Sequence, residues 1–108
     1  MRIVEHAHAT GASLFADWFD ALDAQAAAKV TVALQRMAQG NLSNTKGVGV
    51  GVLEYRIDFG PGYRIYFGRD GEEFVVLLGG GTKRRQQQDI ETAQARCADY
   101  PRRKREAR

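Results

Sequence analysis

Apolar residues recur with helical spacing in two neighbouring segments near the start of the chain. Each segment repeats them at intervals of three and four, which places them on one face of an amphipathic helix. The first set is Phe15, Trp18, Phe19 and Leu22, and the second is Ala27, Val30, Leu34 and Met37. Thr10 or Ser13 is the expected N-cap of the first helix, Asp23 separates the helices and caps the second, and Gly40 follows its end. So short a connection between two helices predicts an antiparallel helical hairpin.

Beyond a glycine-rich loop at residues 41–51 the apolar period changes to two, which is typical of half-buried strands. The alternating apolar positions are Leu53, Tyr55, Ile57 and Phe59 in one run and Tyr63, Ile65 and Phe67 in the next. Turns are expected at residues 60–62 and 70–71. The unbroken apolar run at residues 74–78 predicts a central strand that is covered on both faces. A final helical pattern starts at about residue 86 and ends at Pro101, and residues 2–5 are a candidate short strand.

This order of elements predicts the α+β fold class. We expect two N-terminal helices packed on an antiparallel sheet of three to four strands, followed by a C-terminal helix. Residues 1–100 form a single domain in this interpretation, and the basic segment 101–108 is a disordered tail. Parity along the strands turns their apolar residues toward the helices. Arg56, Arg64 and Tyr66 then lie on the opposite face, which we expect to be open to solvent.

Charge is unevenly distributed along the 108 residues, and this distribution is more informative than the net value of +3. The last eight residues carry five basic side chains and one acidic one, or +4, so residues 1–100 together carry −1. Residues 1–28 carry one basic and four acidic side chains, or −3, whereas residues 29–69 carry six basic and two acidic ones, or +4. A domain that is nearly neutral overall can therefore present one cationic face to a phosphate backbone.

Several classes of protein are excluded by features that the sequence lacks. Hydrophobic residues make up 44% of the chain, but no run approaches the ~20 apolar residues of a membrane span. The N-terminus has no apolar run of the kind that a signal peptide needs. The single Cys97 excludes an intramolecular disulfide and a cysteine-based zinc cluster, and His6 and His8 lack a third metal ligand. We therefore expect a cytoplasmic protein without a metal or another cofactor.

The candidate site is a set of basic and aromatic side chains on the strands or just after them, namely Arg56, Arg64, Tyr66, Lys83, Arg84 and Arg85. A guanidinium group donates two parallel hydrogen bonds, which suits phosphate, and a tyrosine ring can stack on a base. Such a set can promote cleavage of RNA by its own 2′-hydroxyl group. That reaction needs a base, positive charge beside the phosphorane and an acid for the leaving oxygen. The pattern leaves an alternative open, in which exposed Arg and Tyr residues only keep the sheet soluble.

Two adjoining motifs around these residues are the most specific part of the sequence. Gly-Val-Leu-Glu-Tyr-Arg-Ile-Asp occupies residues 51–58, and Gly-Pro-Gly-Tyr-Arg-Ile-Tyr-Phe occupies residues 60–67. Together with residues 40–42, 46–49, 80–83 and 88–90, they resemble the addiction-module killer proteins. These are HigB-type toxins of the RelE/ParE superfamily, and the resemblance covers roughly residues 12–100.

The resemblance implies the fold described above and a metal-independent, ribosome-dependent mRNA endoribonuclease that inhibits translation through 2′-hydroxyl attack. It implies catalytic roles for Arg64, Lys83, Arg84 and Arg56. The residues expected to contact RNA are Tyr63, Tyr66, Arg85 and Lys46. The sequence departs from the family pattern at Asp58, where such toxins carry a second strand lysine, and at Ile90, where they carry a tyrosine. Lys83, Tyr63 and Tyr66 are the alternatives for the base and the acid.

The resemblance also implies a cognate antitoxin, commonly a HigA-like helix-turn-helix protein, which covers or distorts the cationic face and forms a hetero-oligomer with the toxin. The other implied partner is mRNA on the ribosome, and no membrane partner is expected. Two other functions stay open, a ParE-like inhibitor of DNA gyrase with the same fold and an inactive member that only binds. Arg56, Arg64 and Lys83 together favour the nuclease, because a gyrase inhibitor needs no cluster directed at phosphate. The acidic N-terminal section, with Asp17 and Asp20, is a candidate for the antitoxin interface.

Overall fold

Five strands, three α-helices and a single 3-10 turn make up the part of the chain that the computed structural model describes, which is residues 1–7 and 13–106, with side chains up to residue 100. The strands are β1 (Arg2–Glu5), β2 (Thr45–Gly47), β3 (Leu53–Ile57), β4 (Tyr63–Asp70) and β5 (Phe74–Thr82). The helices are α1 (Leu14–Asp20), α2 (Ala24–Ala38) and α3 (Gln86–Glu106), and the 3-10 turn (Lys83–Arg85) joins β5 to α3. The α+β class is thereby confirmed.

The strands form one mixed sheet in the order β1-β5-β4-β3-β2. β1 runs parallel to β5, and every other neighbouring pair is antiparallel. The prediction of an antiparallel sheet of three to four strands is therefore wrong, although the short first strand is confirmed. β2 lies inside the stretch that was expected to be a loop. Its three residues pair with β3 through the backbone and carry no apolar alternation that could reveal a strand.

Helices α1 and α2 pack on one face of the sheet, which we call the first face. Their predicted caps are confirmed in part: the Ser13 hydroxyl accepts a hydrogen bond from the Ala16 amide at 3.1 Å, and the Asp23 carboxylate accepts one from the Ala26 amide at 2.8 Å. Thr10, the alternative cap of α1, lies outside the described residues. The buried side chains of this layer are Phe15, Val30, Ala33, Met37, Tyr55, Ile65, Phe67, Val75 and Leu77. The two N-terminal helices and the inward parity of the strands are confirmed.

The second face of the sheet is covered by α3, so the prediction that this face is open to solvent is wrong. Buried side chains there are Val52, Tyr66, Val76, Leu78 and Ala93, and Ile90, Cys97 and Tyr100 of α3 pack against them. The physical reason is in β5, whose consecutive apolar residues need cover on both faces of the sheet. Helix α3 also continues through Pro101 to Glu106, so its predicted end at Pro101 is wrong. Proline there removes only one backbone donor from a helix that is already formed.

Candidate nucleic-acid interface

The register of the sheet brings the predicted basic residues to one end of it. Arg56 of β3 lies opposite Arg64 of β4, and Arg64 lies opposite Gly81 of β5. Since neighbouring strands are about 4.8 Å apart, this row spans about 10 Å. Lys83 begins the 3-10 turn two residues beyond Gly81. Residues that are 27 positions apart in sequence therefore meet at the end of β3, the start of β4 and the end of β5.

Arg64 is not on the surface, because only 4% of it is exposed. One of its terminal nitrogens donates a hydrogen bond to the Gly62 carbonyl at 2.9 Å. Its Nε lies 3.6 Å from Oε1 of Glu54. Tyr66, two residues further along the same face, is fully buried. Tyr66 packs against α3, and Arg64 is buried beside Glu54, so the expectation that the two residues face solvent is wrong.

Glu54 is the residue of this site that the sequence reasoning missed. Its carboxylate is fully buried and links three elements: Oε1 lies 3.8 Å from Nζ of Lys46 on β2 and 3.6 Å from Nε of Arg64 on β4, and Oε2 accepts a hydrogen bond from the Gln86 amide at 2.9 Å. The alternation on β3 contained the signal. Glu54 is a carboxylate on the same strand face as Arg56, and strand pairing places it between Lys46 and Tyr66.

Three polar atoms of this buried cluster have no hydrogen-bond partner among the described residues: Oε1 of Glu54, Nε of Arg64 and the hydroxyl of Tyr66. Burial raises the pKa of Tyr66 far above its usual value, and the nearby Glu54 carboxylate raises it further. Burial also raises the pKa of Asp89, which lies in the first turns of α3, although Arg85 partly opposes that shift. The cluster therefore consists of ionisable side chains, as a functional site does, but they are buried as core residues are.

Four exposed cations lie on β2, on β3 and in the 3-10 turn that follows β5, and we call them the cationic rim. Its members are Lys46, Arg56, Lys83 and Arg84. The Lys46 side chain is 57% exposed even though it reaches the Glu54 carboxylate. An open pocket of about 330 Å³ lies beside it, lined by Asn44, Thr45, Lys46, Arg56 and Asp58. Lys46 and Arg56 are the rim residues that line this pocket, and two long cationic side chains so placed can contact phosphates of a nucleic acid.

Besides the buried Tyr66, two more of the predicted RNA-contacting residues do not join the rim. The Tyr63 ring lies on the first face, where its centroid is 6.4 Å from that of Phe59 and 6.5 Å from that of Trp18. Arg85 is exposed but lies along α3, where it donates a hydrogen bond to the Gln88 side chain at 2.9 Å. Of the two histidines considered as ligands, His6 is buried and hydrogen bonded to Asp99 at 3.0 Å, and His8 lies outside the described residues. Within residues 1–7 and 13–100 no three potential metal ligands are grouped.

The fold and this interface define a class of small α+β protein with a basic sheet end, and sequence comparison identifies its family. The profile of the family described as "Phage derived protein Gp49-like" matches residues 17–98, so the chain belongs to that family. This is a family of addiction-module toxins related to the RelE and HigB types. The matched region begins in α1 and ends in α3, and it includes the buried cluster and the whole cationic rim.

A relative from Haemophilus influenzae, described as an uncharacterized protein, is 39% identical to the chain over 80 residues. The aligned region covers 73% of this chain and 81% of the relative. The chain is thus similar to most of the length of that protein. No helix in the described ranges, 1–7 and 13–106, is long and apolar enough to cross a bilayer.

Proposed function

We propose that this chain is the toxin of a type II toxin–antitoxin module and that it cleaves mRNA on the ribosome without a metal. The observation that carries the proposal is the cationic rim, which frames the end of the sheet where Arg56, Arg64 and Gly81 lie side by side. Membership of a family of addiction-module toxins supports the toxin role and the existence of an antitoxin partner. The proposal adds the cleavage reaction and two partners, mRNA and the ribosome.

The proposed reaction uses the 2′-hydroxyl group of the RNA as the nucleophile. Its oxygen attacks the adjacent phosphorus, its proton passes to a base, and the bond from phosphorus to the 5′-oxygen breaks as that oxygen takes up a proton. The products are a 2′,3′-cyclic phosphate and a 5′-hydroxyl. Negative charge grows on the phosphorane, and the rim cations Arg56 and Arg84 stabilise it by holding its oxygens.

Lys83 is the group that we assign to proton transfer. Three residues were candidates, and two of them are poorly placed: Tyr66 is fully buried with a raised pKa, and Tyr63 stacks on the opposite face. Lys83 is exposed and begins the turn just beyond the row of Arg56 and Arg64. A lysine amine at this position can take part in proton transfer with the reacting oxygens. In this proposal Arg64 has a structural role at the site, because its guanidinium contacts the Glu54 carboxylate and the Gly62 carbonyl.

A second function, inhibition of DNA gyrase by a protein of the same fold, is favoured by one observation. Arg64 and Tyr66, which the resemblance assigns to phosphate and RNA, are buried. A gyrase inhibitor acts through binding and needs no accessible cluster of this kind. The two functions differ in their products, because only the nuclease leaves cut mRNA.

The test is induced expression of the chain alone, with primer extension on a translated messenger. Wild type is compared with Arg56→Ala and Lys83→Ala, whose side chains are exposed, so that the fold is left intact. The matched control is Arg2→Ala, which removes an exposed arginine from β1 at the opposite edge of the sheet. Arg64→Ala is unsuitable as a first variant, because it strands a buried carboxylate.

We expect wild type and Arg2→Ala to arrest growth and to produce new cuts inside translated codons. Arg56→Ala and Lys83→Ala should lower the yield of cuts at least tenfold, as the loss of a group that stabilises the transition state requires. Growth arrest without cuts, together with accumulated DNA breaks, would replace the nuclease with the gyrase inhibitor. Neither arrest nor cuts would leave a binding-only member of the family.

A further inference from the structure

A groove beside α2 carries two basic side chains that the proposed cleavage reaction does not use. Its volume is about 290 Å³, and residues of α2 and of the end of β3 line it, so we call it the α2 groove. Lys29 and Arg36 of α2 and Arg56 of β3 are its basic side chains, and all three are exposed. Its acidic lining residue is Asp58, so the lining carries three positive charges against one negative charge, or +2.

Helical spacing explains why the basic side chains of α2 share one wall of the groove. Lys29, Val32 and Arg36 lie at positions i, i+3 and i+7, which form a single stripe along the helix. Ala33, which also lines the groove, packs in the core of the first face, so this stripe borders the sheet. Two helical turns separate Lys29 from Arg36, or about 10 Å along the helix axis. The wall therefore presents two separate cations to an extended ligand.

The α2 groove adjoins the pocket of the cationic rim. The two cavities share three lining residues, Asn44, Arg56 and Asp58, and the rim pocket adds Lys46. Backbone pairing fixes this junction, because the Arg56 amide donates a hydrogen bond to the Asn44 carbonyl at 3.1 Å. Four basic side chains and one acidic one, or +3, therefore line a path from α2 across the end of β3 to β2.

The aromatic ring of the groove is already engaged by the protein. Phe59 stacks on Tyr63 with a centroid distance of 6.4 Å, and Nζ of Lys29 lies 5.2 Å from the centroid of the Phe59 ring. A nucleobase needs a free aromatic face to stack on, and these contacts occupy the ring. The groove is therefore suited to the phosphates of a nucleic acid rather than to recognition of its bases.

We propose that the α2 groove is a second binding site for the phosphate backbone of single-stranded RNA, on the same strand that binds at the cationic rim. The inference rests on the proposed function and extends it by naming Lys29 and Arg36 as RNA-binding residues. Continuity with the rim favours RNA over an acidic protein segment, because one strand can reach both cavities. Contacts with phosphate do not depend on base sequence, so the groove adds affinity and takes no part in the cleavage step.

The test places one negative charge at either of two neighbouring positions of α2. Val32→Glu puts a carboxylate into the groove between Lys29 and Arg36, on a residue that is 43% exposed. Thr31→Glu is the matched control, because Thr31 is exposed on the same helix but is not among the lining residues of the groove. Both variants change the net charge equally, so only the position of the added charge differs.

A second arm of the test removes positive charge from the groove. Arg36→Gln neutralises one cation, and Lys29→Met neutralises the other while keeping an aliphatic chain beside the Phe59 ring. Arg69→Gln is the control, because it neutralises an exposed arginine near the end of β4, away from Arg64 at its start.

The probe is a single RNA strand of about 12 nucleotides, a length within the range that small single-strand-binding domains cover. It carries 2′-methoxy groups in place of the 2′-hydroxyl groups, so it lacks the nucleophile and stays intact. Fluorescence anisotropy at several salt concentrations measures its binding to the full chain. A titration at high protein concentration gives the number of strands bound per protein.

We expect Val32→Glu to weaken RNA binding about tenfold and Arg36→Gln and Lys29→Met to weaken it about threefold each. Each of the two neutralising variants should also lower the salt slope by about 0.7, the contribution of one phosphate contact. Thr31→Glu and Arg69→Gln should bind within about twofold of wild type, because salt screens charges that lie away from the strand. One strand should bind per protein. On translated mRNA, cuts should fall in the same codons in every variant.

Equal binding by Val32→Glu and Thr31→Glu, together with equal binding by Arg36→Gln and Arg69→Gln, would overturn the groove while wild-type cuts still support the proposed function. Two strands per protein would overturn the continuous path. Unchanged RNA binding by Val32→Glu with weakened binding of the cognate antitoxin would assign the groove to that protein instead. A wild type that neither binds RNA nor cuts mRNA would remove the proposed function, and the groove with it.

Discussion

At the scale of single residues, the main feature is a buried polar cluster in which a carboxylate, a guanidinium and a phenol meet with incomplete hydrogen bonding. Glu54 contacts both basic and amide side chains, yet one of its oxygens has no hydrogen-bond partner among the described residues. A buried ion pair of this kind contributes little net stability but costs about 3–5 kcal/mol when one partner is removed. Functional variants are therefore better placed on the exposed rim than on Arg64.

The hydroxyl of Tyr66 makes the stability of the protein sensitive to alkaline pH. Folding raises the pKa of this group above its ordinary value of 10, so the folded state holds the proton more tightly than the unfolded state. Stability is then unaffected at neutral pH and falls as pH rises above about 10. We expect Tyr66→Phe to remove part of this alkaline loss. At pH 7 the variant should lie within about 1 kcal/mol of wild type, because the hydroxyl has no hydrogen-bond partner among the described residues.

Urea unfolding at about pH 7.5 and about pH 10.5 measures this effect. The decrease in unfolding free energy between the two pH values should be smaller in Tyr66→Phe than in wild type. Equal decreases in the two proteins would show that Tyr66 ionises as freely in the folded state as in the unfolded state, contrary to its burial.

Neighbouring glycines of β5 should respond differently to the same substitution. Gly80→Ala places a methyl group where the Trp18 ring lies, and relieving that overlap costs about 1–3 kcal/mol. Gly79→Ala meets no described atom within 4 Å and should be neutral or stabilising by up to about 1 kcal/mol. The two variants control for each other, since both exchange glycine for alanine in one strand. Urea midpoints ranked in the reverse order would contradict the packing of Trp18 on β5.

At this scale the sequence predicts which residues share a strand face, but it does not predict which of them are buried. Arg56 and Arg64 were correctly placed on one strand face, and the register confirms that they are neighbours. Their environments nevertheless differ, because Arg64 is buried beside the Glu54 carboxylate whereas Arg56 is exposed. In the sequence pattern Glu54 is only a polar position between apolar ones. Its contacts with Lys46 and Gln86 join residues up to 32 positions away, and no local pattern reports such distances.

At the scale of elements, a hydrogen bond from the first turn of α3 helps to hold this helix on the second face of the sheet. Gln86 donates its hydrogen bond to the fully buried Glu54 carboxylate, whereas Gln87 bonds the exposed Glu91 at 3.3 Å. We expect Gln86→Ala to cost about 1–3 kcal/mol, because it leaves a buried acceptor unsatisfied. Gln87→Ala, its matched control, should change the unfolding free energy by less than about 0.5 kcal/mol. Equal losses in chemical denaturation would mean that this contact does not hold α3 on the sheet.

The elements that were predicted correctly are those whose signal is local. Helices α1 and α2 have apolar stripes and side-chain caps at Ser13 and Asp23, and β3 and β4 alternate strictly. The errors concern which elements pack against each other or pair in the sheet. The apolar run of β5 predicted cover on both faces, but nothing in the run identified α3 as the cover. A parallel first strand also depends on where the chain returns, since β1 and β5 are about 70 residues apart in sequence.

At the scale of the whole molecule, two pockets differ in the charge of their surroundings. The cationic rim gathers four exposed basic side chains at the end of the sheet near β2, β3 and the 3-10 turn. A second pocket, lined by residues of α1, β5 and α3, carries Asp17 and Asp89 together with Arg85.

The rim makes a prediction about RNA binding that does not depend on cleavage. Each phosphate contact by a cation releases counterions, so the logarithm of the binding constant falls with the logarithm of salt concentration by about 0.7 per contact on a single strand. We expect Arg56→Ala and Lys83→Ala each to lower that slope by about 0.7 and the double variant to lower it by about 1.4. Arg2→Ala, which removes an equal charge at β1, should keep the wild-type slope. Fluorescence anisotropy with a short unstructured RNA at several salt concentrations measures all four proteins. A slope that falls equally in Arg2→Ala would show that RNA senses only the net charge, and the rim would then have no role as a binding site.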